Sequence, residues 1–550
     1  MNATMTQVPL TSGAARNRAQ QPLAATGTMM RFVAHRNRIL LITWPVVIVG
    51  LFAYVSVYYH GMLNTQQALD DFATISNTAS IKALTGLAAE PATLGGAVWT
   101  KIWMTSALLL AFAVVFLVTR TGRADEEAGR TELLRSRVLG LHASSVAAWA
   151  VIAGMCVVTG LGVALAAMSS GLDPMGSGVM GSLVLGASIT GVGLVALGVA
   201  AVTGQIATTP RAANATASAV VGTMYVLRMI GDLGSGTLTW ASPVGWGQEM
   251  QPWGANRWWP LLLSLVLTVV LLSAALALEA HRDVGAGLLV PRSGSDSAPR
   301  RYASPLGLAL HLQRNVIIGW MVTAALAALM FGSVAPSMTE LADDAAGSFA
   351  QVLGGTGVEA LLSMLVTMTS LIVTVFSIQT TVTMRQDEAS GIIEAQLAGA
   401  VSRTQWAWQR LLIPIVGSAV LLVMSGALLG VGYASAGGGT DLMGDLVLAA
   451  LSYWPAVMLL TGVAVFLFGW LPHVTIGGAW GILAAMWILV VSGDALNLPS
   501  AVLDVVPFTA TPHQPWEPMS WPPVLALALV ALGLFWGGVS RFARRDIQTD

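Results

Sequence analysis

The chain has 550 residues, of which 55% are hydrophobic and 10% are charged, and its formal net charge is −1. Soluble globular domains carry about 25% charged residues. The composition therefore excludes a water-soluble fold with a polar shell and indicates a polytopic membrane protein. A net charge this close to zero gives no reason to expect a nucleic-acid partner.

Twelve apolar segments are long enough to cross a hydrocarbon core of about 30 Å as helices, which satisfy their own backbone hydrogen bonds in lipid. In chain order they are residues 39–59, 101–119, 145–168, 179–203, 213–230, 259–279, 316–335, 360–383, 411–433, 446–470, 474–492 and 522–540. Residues 213–230 and 474–492 give the weakest signals, because the first contains polar residues and the second is rich in glycine.

The distribution of basic residues predicts the orientation of these segments. With the N-terminus inside, 22 of the 26 Lys and Arg residues fall on the inner side. The four on the outer side are Lys82, Lys101, Arg228 and Arg257. By the positive-inside rule, both termini are predicted to be cytoplasmic. The scarcity of lysine, with abundant Ala and Gly, favours a bacterial source and hence a multi-pass protein of the bacterial cell membrane.

Short motifs recur at nearly constant separation and divide the chain into two halves. Gln251-Pro252-Trp253 matches Gln514-Pro515-Trp516, and Gly231-Asp232 matches Gly493-Asp494. We therefore predict an all-α protein with two parallel six-helix repeats and pseudo-twofold symmetry. The predicted parts are a tail with an interfacial helix (1–38), the first repeat (39–279), a cytoplasmic linker (280–305), the second repeat (306–540) and a tail (541–550).

The segments before the first and seventh spans, near residues 29–38 and 306–314, combine apolar and basic residues. This pattern is typical of interfacial helices. A simple charged flank to a membrane span explains it equally well.

An acidic stretch after the second span, at residues 125–132, returns after the eighth span at residues 387–394. The two copies lie 262 residues apart (391 − 129), and each follows an apolar segment that ends in arginine, at Arg120 and Arg385. The first acidic loop is 125–132 and the second is 387–394. A solvated loop that only sets topology would not need the same pattern twice. The duplication therefore favours two equivalent docking sites.

The acidic loops resemble the coupling loop of ABC-2-type transporter permeases. More narrowly, the chain resembles fused twelve-span actinobacterial permeases of the tetronasin-resistance or polyketide-antibiotic exporter group. The resemblance implies that each loop lies in a cleft of a separate ATPase subunit. The implied coupling residues are Glu126, Glu127, Gly129, Arg130 and Glu132 in the first loop, and Asp387, Glu388, Gly391, Glu394 and Arg403 in the second. Ile392 stands where the first copy has Arg130, so the two contacts are expected to be unequal.

The chain lacks the Gly-x-x-x-x-Gly-Lys-Ser/Thr loop that binds nucleotide phosphates. Its two lysines, Lys82 and Lys101, have no such context. No cofactor is therefore expected on this chain, and ATP and Mg are expected on two copies of the partner ATPase. The histidines are scattered and do not show metal-ligand spacing. No set of nucleophile, base and acid is visible in the sequence. A transport subunit is therefore favoured over an enzyme.

The outer loops contain many Trp, Pro and Gly residues. By resemblance each could re-enter the membrane as paired short helices, with an outer gate formed by Trp253, Trp516, Asp232 and Asp494. An interfacial aromatic belt is an equally good explanation. Arg228 is expected to form a local ion pair with Asp232, one helical turn later. Met364, Met368 and Phe376 are candidates for an apolar pathway lining, although ordinary helix packing accounts for them better.

These observations favour the permease subunit of an ATP-driven exporter of hydrophobic or amphipathic compounds, such as an antibiotic, drug or lipid-like molecule. The substrate class rests on the resemblance alone. The alternative is an ion-coupled secondary transporter with 6+6 helices, which would need buried ionisable groups that the sequence offers sparingly. A membrane enzyme acting on lipid-linked substrates is a third hypothesis, but it would need an interfacial cluster of acids or histidines.

Overall fold

A computed structural model describes residues 22–548 apart from 78, 87, 136–138, 173–178, 235, 283–286, 288–298, 300–301, 303, 345–357, 493–505 and 516. The regular secondary structure of this part is helical, and no strand occurs in it. The chain divides into two compact units, Met1–Ser293 (unit 1) and Gly294–Asp550 (unit 2). The division falls within the predicted linker, most of which lies outside the described residues.

Unit 1 contains thirteen helices in its described residues. They are α1 (Thr26–Arg36), α2 (Arg38–Met62), α3 (Gln66–Ser76), α4 (Ala79–Thr85), α5 (Leu94–Thr121), α6 (Arg123–Glu127), α7 (Arg130–Arg135), α8 (Ala143–Ser169), α9 (Val179–Ile206), α10 (Pro210–Leu233), α11 (Thr237–Trp240), α12 (Pro243–Gln248) and α13 (Trp259–Ala280).

Unit 2 contains eight α-helices and one 3-10 turn in its described residues. They are α14 (Pro305–Asp344), α15 (Val358–Ala389), α16 (Ile392–Leu397), α17 (Arg403–Ser435), α18 (Met443–Ser452), α19 (Trp454–Trp470), the 3-10 turn Pro472–Val474, α20 (Thr475–Ser492) and α21 (Trp521–Arg544).

Every predicted span coincides with helical structure. Ten helical segments in the described residues are long and apolar enough to cross a membrane. The helices α10 and α20, which match the two weakest sequence signals, are not among these ten. The all-helical, polytopic class is therefore confirmed, whereas twelve crossings and the placement of the termini remain predictions.

Two local features differ from the sequence expectation. The apolar segment near 306–314 is not a separate interfacial helix, because it continues into the 40-residue α14. The predicted span 446–470 is divided at Tyr453 into α18 and α19. Pro455 explains this division, since proline lacks an amide hydrogen and its ring clashes with the carbonyl four residues earlier. Before the first span, α1 is a separate helix with Met29 and Val33 buried.

Burial separates central helices from peripheral ones. In their most apolar windows, α9 is 83% buried and α15 is 72% buried, whereas α13 and α14 are each 17% buried. Lipid tails are as apolar as leucine, so an exposed apolar face carries no penalty in a membrane. The central helices α5 and α15 are the ones that end at the acidic loops.

Close helix crossings depend on glycine. Gly160 of α8 faces Gly186 of α9 in unit 1, and Gly469 of α19 faces Gly538 of α21 in unit 2. A Cβ atom at Gly538 would lie 2.4 Å from the Val465 carbonyl oxygen. No real Cβ atom could be placed so close, so α19 and α21 can pack this tightly only because the residue is glycine.

Substitution of Gly538 by alanine should therefore destabilise unit 2, and Gly533→Ala provides the matched control. The new methyl group must push α19 and α21 apart, and overpacking of this kind typically costs about 1–3 kcal/mol. A Cβ atom at Gly533 meets nothing within 4 Å, so its substitution should leave stability unchanged or raise it. Thermal unfolding of the two variants in the same detergent tests this difference, and equal melting temperatures would contradict it.

Candidate functional site at the acidic loops

Each acidic loop contains a turn at a glycine residue, and the two turns have the same backbone conformation. Gly129 has φ +69° and Gly391 has φ +74°, a left-handed conformation that glycine adopts without a Cβ penalty. Each turn starts a short helix, α7 or α16, with Glu132 or Glu394 in its first turn. Negative charge is favourable at this end of a helix.

The predicted coupling residues divide into exposed and buried groups. Glu127, Arg130 and Glu132 are exposed in the first loop. In the second loop Glu394 is exposed, together with Ile392, which has 47% of its surface accessible. The remaining acids in each loop form ion pairs within their own unit.

In unit 1, Glu126 lies between two arginines. Arg282 donates two hydrogen bonds to its carboxylate, at 2.9 and 2.5 Å, and Arg123 donates one at 2.5 Å. Arg282 also donates to the Gln205 side chain at 2.5 Å, and Arg123 donates to the Ala207 carbonyl at 2.7 Å. The arrangement joins α6, the end of α9 and the residues that follow α13. We call Arg123, Glu126 and Arg282 triad 1.

In unit 2, Glu388 lies between two arginines in the same manner. Arg545 donates two hydrogen bonds to its carboxylate, at 2.5 and 2.8 Å, and Arg385 donates one at 3.2 Å. Arg545 also donates to the Phe468 carbonyl at 3.1 Å, and the Gln548 amide donates to Glu388 at 3.1 Å. Glu388 is fully buried. We call Arg385, Glu388 and Arg545 triad 2.

The aspartate beside each triad is paired differently in the two units. Asp125 accepts two hydrogen bonds from Arg36 of α1, at 2.6 and 2.7 Å, and two from Arg130, at 2.9 and 2.7 Å. Asp387 instead pairs with Arg410 of α17. The hydrogen bond to the Asp125 carboxylate raises the pKa of Arg36 above its ordinary value, and their Coulomb attraction adds to this.

The structure corrects one correspondence drawn from the sequence. Arg120 was matched with Arg385, but the counterpart of Arg385 is Arg123, which holds the same place in triad 1. Arg120 instead donates to the Asn37 side chain at 3.3 Å. By the same register Glu126 corresponds to Glu388, so the exposed Glu127 has Ala389 as its counterpart.

Sequence reasoning missed Arg282 and Arg545 as parts of these sites. The two residues lie 263 positions apart (545 − 282), almost the separation of the acidic loops. This equal spacing is the feature of the sequence that could have identified both arginines as members of the sites. The other predicted member, Arg403, donates to the Arg545 carbonyl and so supports triad 2 from α17.

The predicted ion pair between Arg228 and Asp232, at the C-terminal end of α10, is confirmed. Arg228 and Asp232 lie 3.0 Å apart and are almost fully buried. Asp232 also accepts hydrogen bonds from Thr239 of α11 at 2.9 Å and from Gln248 of α12 at 3.0 Å. The aspartate therefore holds both short helices of the loop against α10.

Trp253 follows these short helices and is 4% exposed, with φ +61°. Its ring fills the space next to Gly95 and Gly181. The counterparts Trp516 and Asp494 lie outside the described residues. Whether these four residues form an outer gate stays a prediction.

The candidate pathway residues lie in different surroundings. Phe376 is fully buried and lines an apolar cavity of about 350 Å³ between α14, α15 and α17. Neither methionine lines this cavity: Met364 is 38% exposed, and Met368 packs against the core of unit 2. Their role in a pathway stays a prediction.

Comparison with known proteins places this architecture in a family. The family model described as "Multidrug efflux system permease Rv1217c, C-terminal domain" matches residues 302–543. The multidrug efflux system permease protein Rv1217c of Mycobacterium tuberculosis is 36% identical over 447 residues, which cover 80% of each chain. The chain belongs to this family of multidrug efflux permeases. The resemblance to ABC-2-type efflux permeases is thereby confirmed. The permease is a multi-pass membrane protein with a transport role.

Neutralising Glu388 should destabilise the permease, whereas neutralising Glu394 should not. The Glu388→Gln substitution leaves two buried guanidinium groups without their carboxylate, and breaking a buried ion pair costs about 3–5 kcal/mol. Glu394 is exposed six residues later, which makes Glu394→Gln the matched control. The unfolding midpoints of both variants in detergent decide this prediction, and an unchanged midpoint for Glu388→Gln would refute it.

Neutralising Asp232 should loosen the outer loop of unit 1. Asp232→Asn removes the charge that compensates buried Arg228 and weakens the hydrogen bonds that hold α11 and α12. Hydrogen–deuterium exchange should increase across residues 237–248. Asp71→Asn alters an exposed carboxylate of the same unit and should leave exchange there unchanged. Equal protection of the segment in both variants would show that Asp232 does not hold it.

Proposed function

We propose that this chain is the membrane-spanning permease subunit of an ATP-binding-cassette exporter. It has twelve spans and both termini in the cytoplasm of a bacterial cell. It moves hydrophobic or amphipathic compounds outward, using ATP hydrolysed by a separate subunit. Two copies of that ATPase bind the chain, one at each acidic loop.

The observation that carries this proposal is the repeated exposed surface of the two loops. In both units a left-handed glycine turn presents a glutamate, Glu132 or Glu394, on the first turn of a short helix. Each surface follows a central, buried helix of its unit, α5 or α15. A partner that docks at these points lies next to the buried core of each half.

The lack of a nucleotide-binding motif in the sequence supports the same proposal. The sequence contains no phosphate-binding loop, so ATP and Mg belong to the partner. An acidic surface on the permease requires basic groups in the ATPase cleft, because complementary charge steers association and selects the partner.

The two docking surfaces differ in chemistry. The first loop exposes Glu127 and Arg130 beside Glu132, whereas the second exposes Ile392 beside Glu394. The first contact is therefore more polar than the second. The two copies of the ATPase are therefore expected to make unequal contacts with the permease.

The substrate class is supported by two observations. The relative from Mycobacterium tuberculosis is described as a multidrug efflux permease. The cavity beside Phe376 is lined almost entirely by aliphatic side chains of unit 2. An apolar surface of this kind suits lipophilic compounds and offers nothing to hold an ion.

Reversing charge at the docking surfaces should release the ATPase. The double variant Glu132→Lys/Glu394→Lys places a cation opposite each basic cleft, and like charges across an interface are repulsive. Purification of the tagged permease in mild detergent should yield a co-purifying ATPase with the wild type and little or none with this variant. The matched control is Asp71→Lys/Asp441→Lys, which reverses exposed carboxylates after α2 and α17, at the other end of the same bundles.

Undiminished ATPase capture by Glu132→Lys/Glu394→Lys would disprove the docking surfaces. The energy source has its own test in membrane vesicles. Efflux that persists without ATP and stops when the proton gradient collapses would instead support the ion-coupled secondary transporter.

A further inference from the structure

We infer that Glu126 and Glu388 do not contact the ATPase but tie each acidic loop to the ends of two neighbouring membrane helices. They are positioning residues that pass movement of the docked ATPase into the helix bundle. This inference rests on the proposed function, because it requires an ATPase at the loops.

Burial is the first support. Glu388 has no exposed surface, and only 9% of the Glu126 side chain is accessible. Each carboxylate already accepts a paired set of hydrogen bonds from one guanidinium and a further bond from a second. A partner protein could reach these oxygens only by breaking bonds that are costly to break. The exposed residues Glu132 and Glu394 are the accessible ones.

The same helix ends are joined in both units. Triad 1 links α6, the short helix that follows α5, to Gln205 in the last turn of α9 and to the residues after α13. Triad 2 links the end of α15 to Phe468 in the last turn of α19 and to the residues after α21. Gln205 and Phe468 lie 263 positions apart (468 − 205), as Arg282 and Arg545 do. The two units therefore repeat a complete set of connections as well as a loop motif.

The ion pairs provide a connection that the backbone alone does not. In unit 1 the chain leaves helical geometry at Gly122 (φ −113°, ψ −93°), before it reaches Glu126. The acidic loop is thus separated from α5 by a bend, and a push on the loop could be absorbed there. Triad 1 provides a route around this bend, because Arg123 and Arg282 join α6 to Ala207 and to Gln205 at the end of α9. In unit 2 no such bend precedes Glu388, because α15 continues to Ala389. Triad 2 connects this helix to α19 and to the end of α21.

The geometry of arginine suits this connection. A guanidinium binds a carboxylate through two parallel hydrogen bonds, which fixes orientation as well as distance. Arg545 uses this fork on Glu388 and has a further donor for the Phe468 carbonyl. Lysine would keep the charge but lose the fork.

The test measures whether ATP binding at the loops moves the far ends of the helices. Spin labels are placed at Val431→Cys and Leu525→Cys, which are exposed positions at the ends of α17 and α21 remote from the acidic loop. The chain's one native cysteine, Cys156, is buried, so it does not compete for label. The distance between labels is measured in the full permease–ATPase complex, with and without Mg-ATP and vanadate.

With native triads we expect a shift in the label distance on addition of Mg-ATP and vanadate. In Arg545→Gln the ATPase should still co-purify, because the exposed surface is intact, but the shift should be lost. The neighbouring Arg544 is exposed, and Arg544→Gln should retain the full shift. Arg545→Lys keeps a positive charge beside buried Glu388, so it should fold, bind the ATPase and show a reduced shift, which keeps the test decisive if Arg545→Gln does not fold.

A full shift in Arg545→Gln or Arg545→Lys, or no shift with native triads, would overturn the inference. So would loss of ATPase binding in a folded Arg545 variant, because the triad would then shape the docking surface. Absence of any co-purifying ATPase with the unmodified permease would instead refute the proposed function.

Discussion

The structure of both units depends on a carboxylate that is buried between two guanidinium groups at one end of the helix bundle. A charge removed from water is tolerated only when oppositely charged partners and hydrogen bonds replace its hydration. Glu126 and Glu388 meet this requirement with arginines that come from separate helix ends. The positions of those helix ends are thereby fixed relative to the acidic loops, and the neighbouring exposed residues acquire a defined place on the surface.

Each acidic loop therefore contains two kinds of acidic residue, one buried in ion pairs and the other exposed at the surface. The first acids of each loop face inward and form ion pairs, while Glu132 and Glu394 face outward after the glycine turn. The glutamate between two arginines is repeated in both units, whereas the aspartate before it pairs with Arg36 and Arg130 in unit 1 and with Arg410 in unit 2. The outward set has Arg130 in one loop and Ile392 in the other. A repeated buried triad beneath two different surfaces is the pattern expected of two docking sites that make unequal contacts.

The central helices connect this end of each unit to the rest of the fold. α5 and α15 are largely buried, and each leads directly into an acidic loop, whereas α13 and α14 present apolar faces that suit lipid. Close glycine crossings bring α8 against α9 and α19 against α21. At the opposite end of unit 1 a second buried ion pair, Arg228 with Asp232, holds the short helices α11 and α12. In unit 1, buried ion pairs therefore fix the structure at both ends of the helix bundle: triad 1 at one end and Arg228 with Asp232 at the other.

The sequence alone determined the helical class, the approximate bounds of the apolar helices, the duplicated loop and the family resemblance. Long apolar segments leave a helix as the way to satisfy the backbone in lipid, and a constant spacing is visible without a fold. Only the tertiary structure decided which acids are buried, that Arg123 replaces Arg120 as the counterpart of Arg385, and that Arg282 completes the site. These facts depend on contacts between residues about 80 to 160 positions apart, where no local pattern records which side chains meet.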